Sequence, residues 1–233
     1  MSNYDPDQGS AREDLCRYLA ACYYQPGPEF AEEKVFDSML AAATRIHPDL
    51  VAYASRLGKE FAAEGAANLL LDYTRLFLGP NHIIAKPYGS VWLEQQETLM
   101  GESTVAVQAL YREGGFEIDE GFRELPDHIA AELEFLYLLI FRENEAHQQG
   151  KPEEMAATVA LRKRFLDEHL GRWVAPFTAA VRDGAQCAYY RQLAELTNRF
   201  VNMEAGKDQS SQSHGTPRPT GQGLQNSIAA PKL

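Results

Sequence analysis

A chain of 233 residues, 45% hydrophobic and 24% charged, can build one large domain or two small ones and has the composition of an ordinary globular protein. Its formal net charge of −11 argues against a nucleic-acid backbone as the main partner, because that surface demands clustered Lys and Arg. Three cysteines, Cys16, Cys22 and Cys187, form no C-x-x-C pair and are too few for a disulfide framework, which points to reduced thiols in the cytoplasm.

The start, Met1 to Asp7, is polar and acidic, without a basic stretch followed by an apolar one, and no apolar run reaches membrane-spanning length. Neither export nor anchoring is expected, and residues 1–10 are expected to be flexible. The first helix is predicted over Ala11 to Tyr24, with Leu15, Tyr18, Leu19, Cys22 and Tyr23 as its apolar stripe and Gln25-Pro-Gly-Pro28 as its stop. A second runs from Glu29 to Arg45. A third starts at Pro48 and is closed by Gly65, after which Asn68 is expected to cap a fourth over Leu69 to Leu78.

Gly79-Pro80 ends that helix, and Asn81 to Ser90 has neither a helical nor a strand period. The expectation is a long loop, continued by Val91-Trp92-Leu93. Loops of that length in compact domains are more often functional or tightly packed than merely connecting. A fifth helix is predicted over Thr98 to Arg112, ended by Gly114-Gly115.

The stretch from Glu124 to Phe141 organises the rest. Pro126 suits a first helical turn, where its missing N–H would have had no partner, and Asp127 puts negative charge at the positive end of the helix dipole. Ile129, Leu133, Leu136, Tyr137 and Ile140 fall on one side, and Ala131, Phe135, Leu138 and Leu139 on the other. A helix apolar on two sides is packed between neighbours, which makes residues 127–148 the central helix. Pro152 opens the next, to Leu170; Gly171 is expected to divide it from an eighth over Trp173 to Val181, and Ala185 to Met203 makes the last. Beyond Gly206 the residues are Ser, Gln, Gly, Pro and Thr with few aliphatics, so residues 205–233 are expected to form a disordered tail. The fold class is all-α: one domain over residues 11–204, with about nine helices around a central buried one.

No catalytic constellation is present. Leu125, Asn144 and Leu166 stand three residues before His128, His147 and His169, so the Glu-x-x-His pairs of a di-iron bundle are missing. The pair His128 and Glu132 finds no further ligands for a metal shell. Phosphate-binding glycine motifs and a G-x-S-x-G elbow are absent as well. No metal, no cofactor and no enzyme activity are expected, which favours a binding protein. Two groups remain. One is the loop with Phe77, Gly79, Pro80, Pro87, Tyr88, Gly89 and Trp92, which offers aromatic surface and turns; the other is Asp127, His128 and Glu132 at the head of the central helix. Taken structurally, Tyr88 and Trp92 pin the loop and Asp127 caps the helix. Taken functionally, aromatics beside carboxylates would hold an apolar peptide that carries positive charge, with arginine pairing to Asp127 or Glu132 and stacking on Trp92.

Five segments, in order, resemble one family. They are Tyr73-Thr-Arg-Leu-Phe-Leu-Gly-Pro80, Lys86-Pro-Tyr-Gly-Ser-Val-Trp92, Gly101-Glu-Ser-Thr104, Leu125-Pro-Asp-His128 with Glu132-Leu-Glu-Phe135, and Phe165 to Trp173 with Tyr189-Tyr190. Their order and spacing are similar to the TorD/DmsD/NarJ family of cytoplasmic redox-enzyme maturation chaperones. Leu125 departs from the pattern, since many members carry Glu there and this chain has it at Glu124.

The resemblance implies an all-helical chaperone without catalytic residues. It would bind the N-terminal twin-arginine signal peptide of a molybdopterin-dependent oxidoreductase catalytic subunit, hold the apoenzyme for molybdenum-cofactor insertion and prevent premature export. It carries the peptide-binding role onto Tyr88, Trp92, Pro126, Asp127 and His128, to which the residue reading adds Glu132. It also leaves room for molybdenum-cofactor biosynthesis proteins as further partners, and for a monomer or a dimer. Two alternatives stay open: an assembly factor for a non-exported subunit of the nitrate-reductase type, and a guanine-nucleotide-binding protein.

Overall fold

The computed structural model describes residues 5–27, 30, 33–79, 82–94, 101–119 and 121–207. Among these, ten α-helices and one π-helical turn carry the chain. They are α1 Pro6–Ala21, α2 Val35–Ile46, α3 Pro48–Glu64, α4 Ala66–Tyr73 with the π turn Thr74–Leu78, α5 Gly89–Leu93, α6 Glu102–Glu113, α7 Ile129–Gln148, α8 Pro152–Glu168, α9 Leu170–Gly184 and α10 Ala188–Glu204. Residues 80, 81, 98–100 and 208–233, which include Pro80, the expected start of the fifth helix and nearly all of the expected tail, lie outside the described residues.

Local signals account for most helix starts. Pro6, Pro48 and Pro152 occupy first turns, and the Asp5 carboxylate and His47 Nδ1 accept from Asp7 N and Asp49 N. The first helix therefore begins at Pro6, and residues 6–10, expected to be flexible, are helical. Gly171 does not divide two helices. It lies in the first turn of α9, and the break falls at His169, whose backbone (φ −131°, ψ −99°) leaves the helical region. Asn68 does not cap α4, which starts after Gly65; its side chain donates to Glu64 O.

Seven helices pack in a closed circuit: α1 against α2, α2 against α3, α3 against α10, α10 against α9, α9 against α8, α8 against α7, and α7 back against α1. Inside lie large side chains with almost no exposure, among them Tyr23, Phe135, Phe165, Trp173, Phe177, Tyr189, Tyr190 and Phe200. At about 25 cal/mol per Å² of apolar surface removed from water, this interior is the main stabilising contribution. The three cysteines are buried and unbridged, with Cys16 Sγ against Leu133 O (3.3 Å) and Cys187 Sγ against Asn68 O (3.6 Å).

A paired network locks one end of the circuit. Arg12 binds both oxygens of Glu204 (2.7 and 2.6 Å), while Arg162 reaches Glu143 (2.9 Å) and Glu204 (3.0 Å), so α1, α7, α8 and α10 meet at fully partnered charges. No helix among the described residues is long and apolar enough to cross a membrane.

Candidate functional site

The site lies where the segment after the π turn meets the head of α7. Gly79 adopts φ +52° and donates its N–H to Thr74 O, and a Cβ there would come within 2.6 Å of His82 O, so only glycine fits this turn. The chain then runs inward. Gly89 N donates to Asp127 O and Ile129 N to Pro87 O, both at 2.8 Å, a two-bond antiparallel bridge that pairs Tyr88 with His128. The helix start expected at Pro126 is displaced by this pairing: α7 begins at Ile129, and His128 is its N-cap, with Nδ1 accepting from Ala130 N at 3.2 Å.

Asp127 has no exposed surface. Its Oδ2 accepts from Ser90 N (2.8 Å) and from the Thr104 hydroxyl (3.2 Å), tying the head of α7 to α5 and α6; Oδ1 has no hydrogen-bond donor among the described residues. Glu132 is equally enclosed, taking the Trp173 indole N–H on Oε2 (3.0 Å) and facing His169 Nδ1 with Oε1 (3.0 Å). The other ring nitrogen, His169 Nε2, meets Ser103 O at 3.1 Å. Burial raises the Glu132 carboxyl, with the His169 contact working against it. Burial alone would lower His169, but Glu132 beside it outweighs that and holds it above its ordinary value. A Cβ on Gly89 would lie 2.9 Å from Glu132 Oε1 and 3.0 Å from Trp173 Nε1, so the glycine admits the loop onto this buried group.

The positions of Asp127 and Glu132 correct the chemistry expected of them. Asp127 and Glu132 are committed to internal partners and offer no surface to a peptide's arginines. Phe77 sits in the core against Tyr23, Tyr73, Phe177 and Tyr190. Pro87 is buried at the bridge, and Trp92 pins the segment by donating to Lys86 O (2.8 Å) and meeting the Phe177 ring edge-on. Pro126 is half-buried, and its carbonyl takes the Tyr111 hydroxyl (2.9 Å).

What faces outward is a different set, gathered on His128. Tyr24 stacks on its ring at 6.4 Å, and Tyr88 and Phe122 approach edge-on at 5.5 and 6.3 Å. The Tyr24 hydroxyl donates to Glu134 Oε1 (2.7 Å) and the Tyr88 hydroxyl to Glu124 Oε2 (2.6 Å). Both tyrosines and both glutamates are half-buried, and neither carboxylate has a cationic side chain as partner among the described residues. Burial pushes His128 down to about 4, against the pull of Glu124 and Asp127, so the ring beneath this rim is neutral near pH 7. Burial, the glutamate bonds adding to it, raises both phenols. The arrangement offers two carboxylates flanked by aromatic faces, which suits a guanidinium. Among the described residues, no group of three or more His, Cys, Asp or Glu could hold a metal ion.

Sequence reasoning missed Tyr24, Glu134, His169, Trp173, Ser103 and Thr104 as members of this region. One signal was available: a glutamate inside an apolar helix needs a buried partner, and His169 and Trp173 stand one helical turn apart.

The family model described as "nitrate reductase delta subunit" matches residues 37–179, well over half of the chain. The protein named "Chaperone protein TorD" of Vibrio parahaemolyticus is 27% identical over 137 residues, which cover 59% of this chain and 62% of that one. The "Chaperone protein TorD" of Shewanella loihica is 27% identical over 179 residues, 75% of this chain and 78% of that one. The "Tat proofreading chaperone DmsD" of Salmonella typhimurium is 29% identical over 136 residues, 58% of this chain and 60% of that one. The match thus spans less than two thirds of the Vibrio and Salmonella chaperones. With the five sequence segments, the all-helical fold and these matches together, the chain belongs to the nitrate reductase delta subunit family, that of the TorD, DmsD and NarJ redox-enzyme maturation chaperones.

Proposed function

We propose that this protein is a cytoplasmic chaperone, not an enzyme, that binds the N-terminal twin-arginine signal peptide of a molybdopterin-dependent oxidoreductase catalytic subunit. It holds the apoenzyme until the molybdenum cofactor is inserted and keeps it from early export. The observation that carries this reading is the rim around His128: two half-buried carboxylates, Glu124 and Glu134, each held by a tyrosine hydroxyl and neither matched by a cation among the described residues. Adjacent arginines in a peptide would supply the missing charge and stack on Tyr24 and Tyr88. Asp127, Glu132, Pro126 and Trp92 act behind that rim by fixing the 87–94 segment against α7. The names of the TorD and DmsD relatives support the same role.

The test is calorimetric titration of the protein with twin-arginine signal peptides, alongside controls in which both arginines are Gln. Binding in the micromolar range, about −8 kcal/mol, that fades in the controls is expected. Failure of every such peptide to bind would refute the reading. It would favour instead an assembly factor for a non-exported subunit, the alternative to which the description of the matching family model lends weight.

A further inference from the structure

Central helices of a packed bundle are normally covered on all sides, and α7 is buried along most of its length. One ridge is not. Glu134, Tyr137, Leu138 and Phe141 stand at i, i+3, i+4 and i+7, which puts them on a single face. Glu134, Tyr137 and Leu138 are half-buried, and Phe141 is 40% exposed, with its ring 6.3 Å from that of Tyr137. Both flanks of the ridge are occupied. On one side α1 and the residues after it reach in, through Tyr24 to Glu134 and Glu13 to Asn144. On the other the turn after α6 does so, its Gly114 carbonyl taking Arg142. The result is an apolar track of three side chains, Tyr137, Leu138 and Phe141, with a carboxylate at one end and the exposed Glu145 beyond the other.

We infer that this track receives the apolar segment that follows the arginines of the bound peptide, and that it fixes the peptide's direction. The arginines sit at Glu134 and Glu124, and the chain then runs along α7 toward Phe141. The inference rests on the signal-peptide reading above and adds to it a polarity and a second contact. Charge complementarity argues for this occupant: the ligand must be cationic where the track begins and uncharged over the next two helical turns, about 10 Å at 1.5 Å per residue. Around three extended residues or seven helical ones cover that length. An apolar segment there removes Phe141 and Leu138 from water, whereas a peptide laid in the opposite direction would put its apolar part over the two carboxylates.

The experiment compares the wild type with a Leu138→Ser/Phe141→Ser double variant, each titrated with a full signal peptide and with one whose apolar segment is Ser and Gly. The double variant is expected to bind the full peptide at least tenfold more weakly and the polar peptide within twofold of the wild type. An equal loss for both peptides, or no loss for either, would overturn the inference while leaving peptide binding in place. A second measurement needs no variant. A paramagnetic label on the carboxy-terminal end of the full peptide should broaden the backbone signals of residues 138–145 of the wild type more than those around Tyr24 and Tyr88, and the reverse pattern would overturn the assigned direction. A wild type that binds neither peptide would refute the signal-peptide reading itself, and this inference with it.

Discussion

Replacing Asp127 by Ala separates a residue that supports the site from one that touches a ligand. The substitution removes the acceptor of Ser90 N and of the Thr104 hydroxyl, and leaves both donors in a region from which water is excluded. A hydrogen bond to a charged group contributes about 1.5–3 kcal/mol, and a stranded buried donor costs about 1–3 kcal/mol. The longer Thr104 contact puts that bond at the low end, so Asp127→Ala should lose roughly 3–5 kcal/mol of folding stability. Asp127→Asn keeps an oxygen for Ser90 and Thr104 and should lose no more than about 1.5 kcal/mol. Urea unfolding followed by circular dichroism reads both. With a slope of about 2–3 kcal/mol/M, the alanine variant should unfold at a midpoint lower by roughly 1–2.5 M. An alanine variant within 1 kcal/mol of wild type, taken as the resolution of the method, would refute the bonding scheme. A well-folded Asp127→Asn protein that had lost its peptide affinity would show instead that the carboxylate contacts the ligand directly.

Gly89→Ala should lower the melting temperature by several degrees, because the new methyl meets Glu132, Trp173 and His169 at 2.9 to 3.1 Å, and overpacking costs typically about 1–3 kcal/mol; an unchanged melting curve would contradict the packing of the segment on that group. His128 is neutral in the folded chain down to about pH 4 but takes a proton near 6.5 when unfolded, so acidification favours the unfolded state through this group. The wild type should lose roughly 2 kcal/mol more between pH 7 and 5 than His128→Asn, which keeps an N-cap acceptor without a titrating ring; parallel pH profiles in urea unfolding would refute the burial of this imidazole. Trp173→Phe deprives Glu132 Oε2 of its donor and should cost about 1–3 kcal/mol by the same denaturation assay, whereas a neutral result would show that the indole N–H is dispensable.

The parts of the fold written locally were legible, and those written across distance were not. Pro48 with Gly65 bracketed α3 because first-turn proline and positive-φ glycine act within one turn of themselves. The segment resemblance located the meeting of the 86–92 segment with the 125–135 stretch, and the structure brings those two together. Asp127 was assigned to its own helix dipole because a sequence shows only its immediate neighbours. Its partners, Ser90 and Thr104, lie 37 and 23 residues back. For the same reason, periodicity could not identify α5, a five-residue helix held by that distant carboxylate. Tyr24 stands at the end of the expected first helix and Glu134 within the central one; only the pairing of α1 with α7 puts them on one rim.

The three cysteines make the native chain a silent background for thiol chemistry. Burial pushes Cys22 up to about 12, Cys16 well above its ordinary value, and Cys187 likewise to about 12, so little thiolate exists at neutral pH, and all three residues are buried. Alkylation must then wait for the helices to part. Cys16 and Cys22 would count the moments at which α1 lifts from its neighbours, and Cys187 those at which the junction of α9 and α10 opens, so mass spectrometry of a timed alkylation would rank the two movements without a single engineered residue.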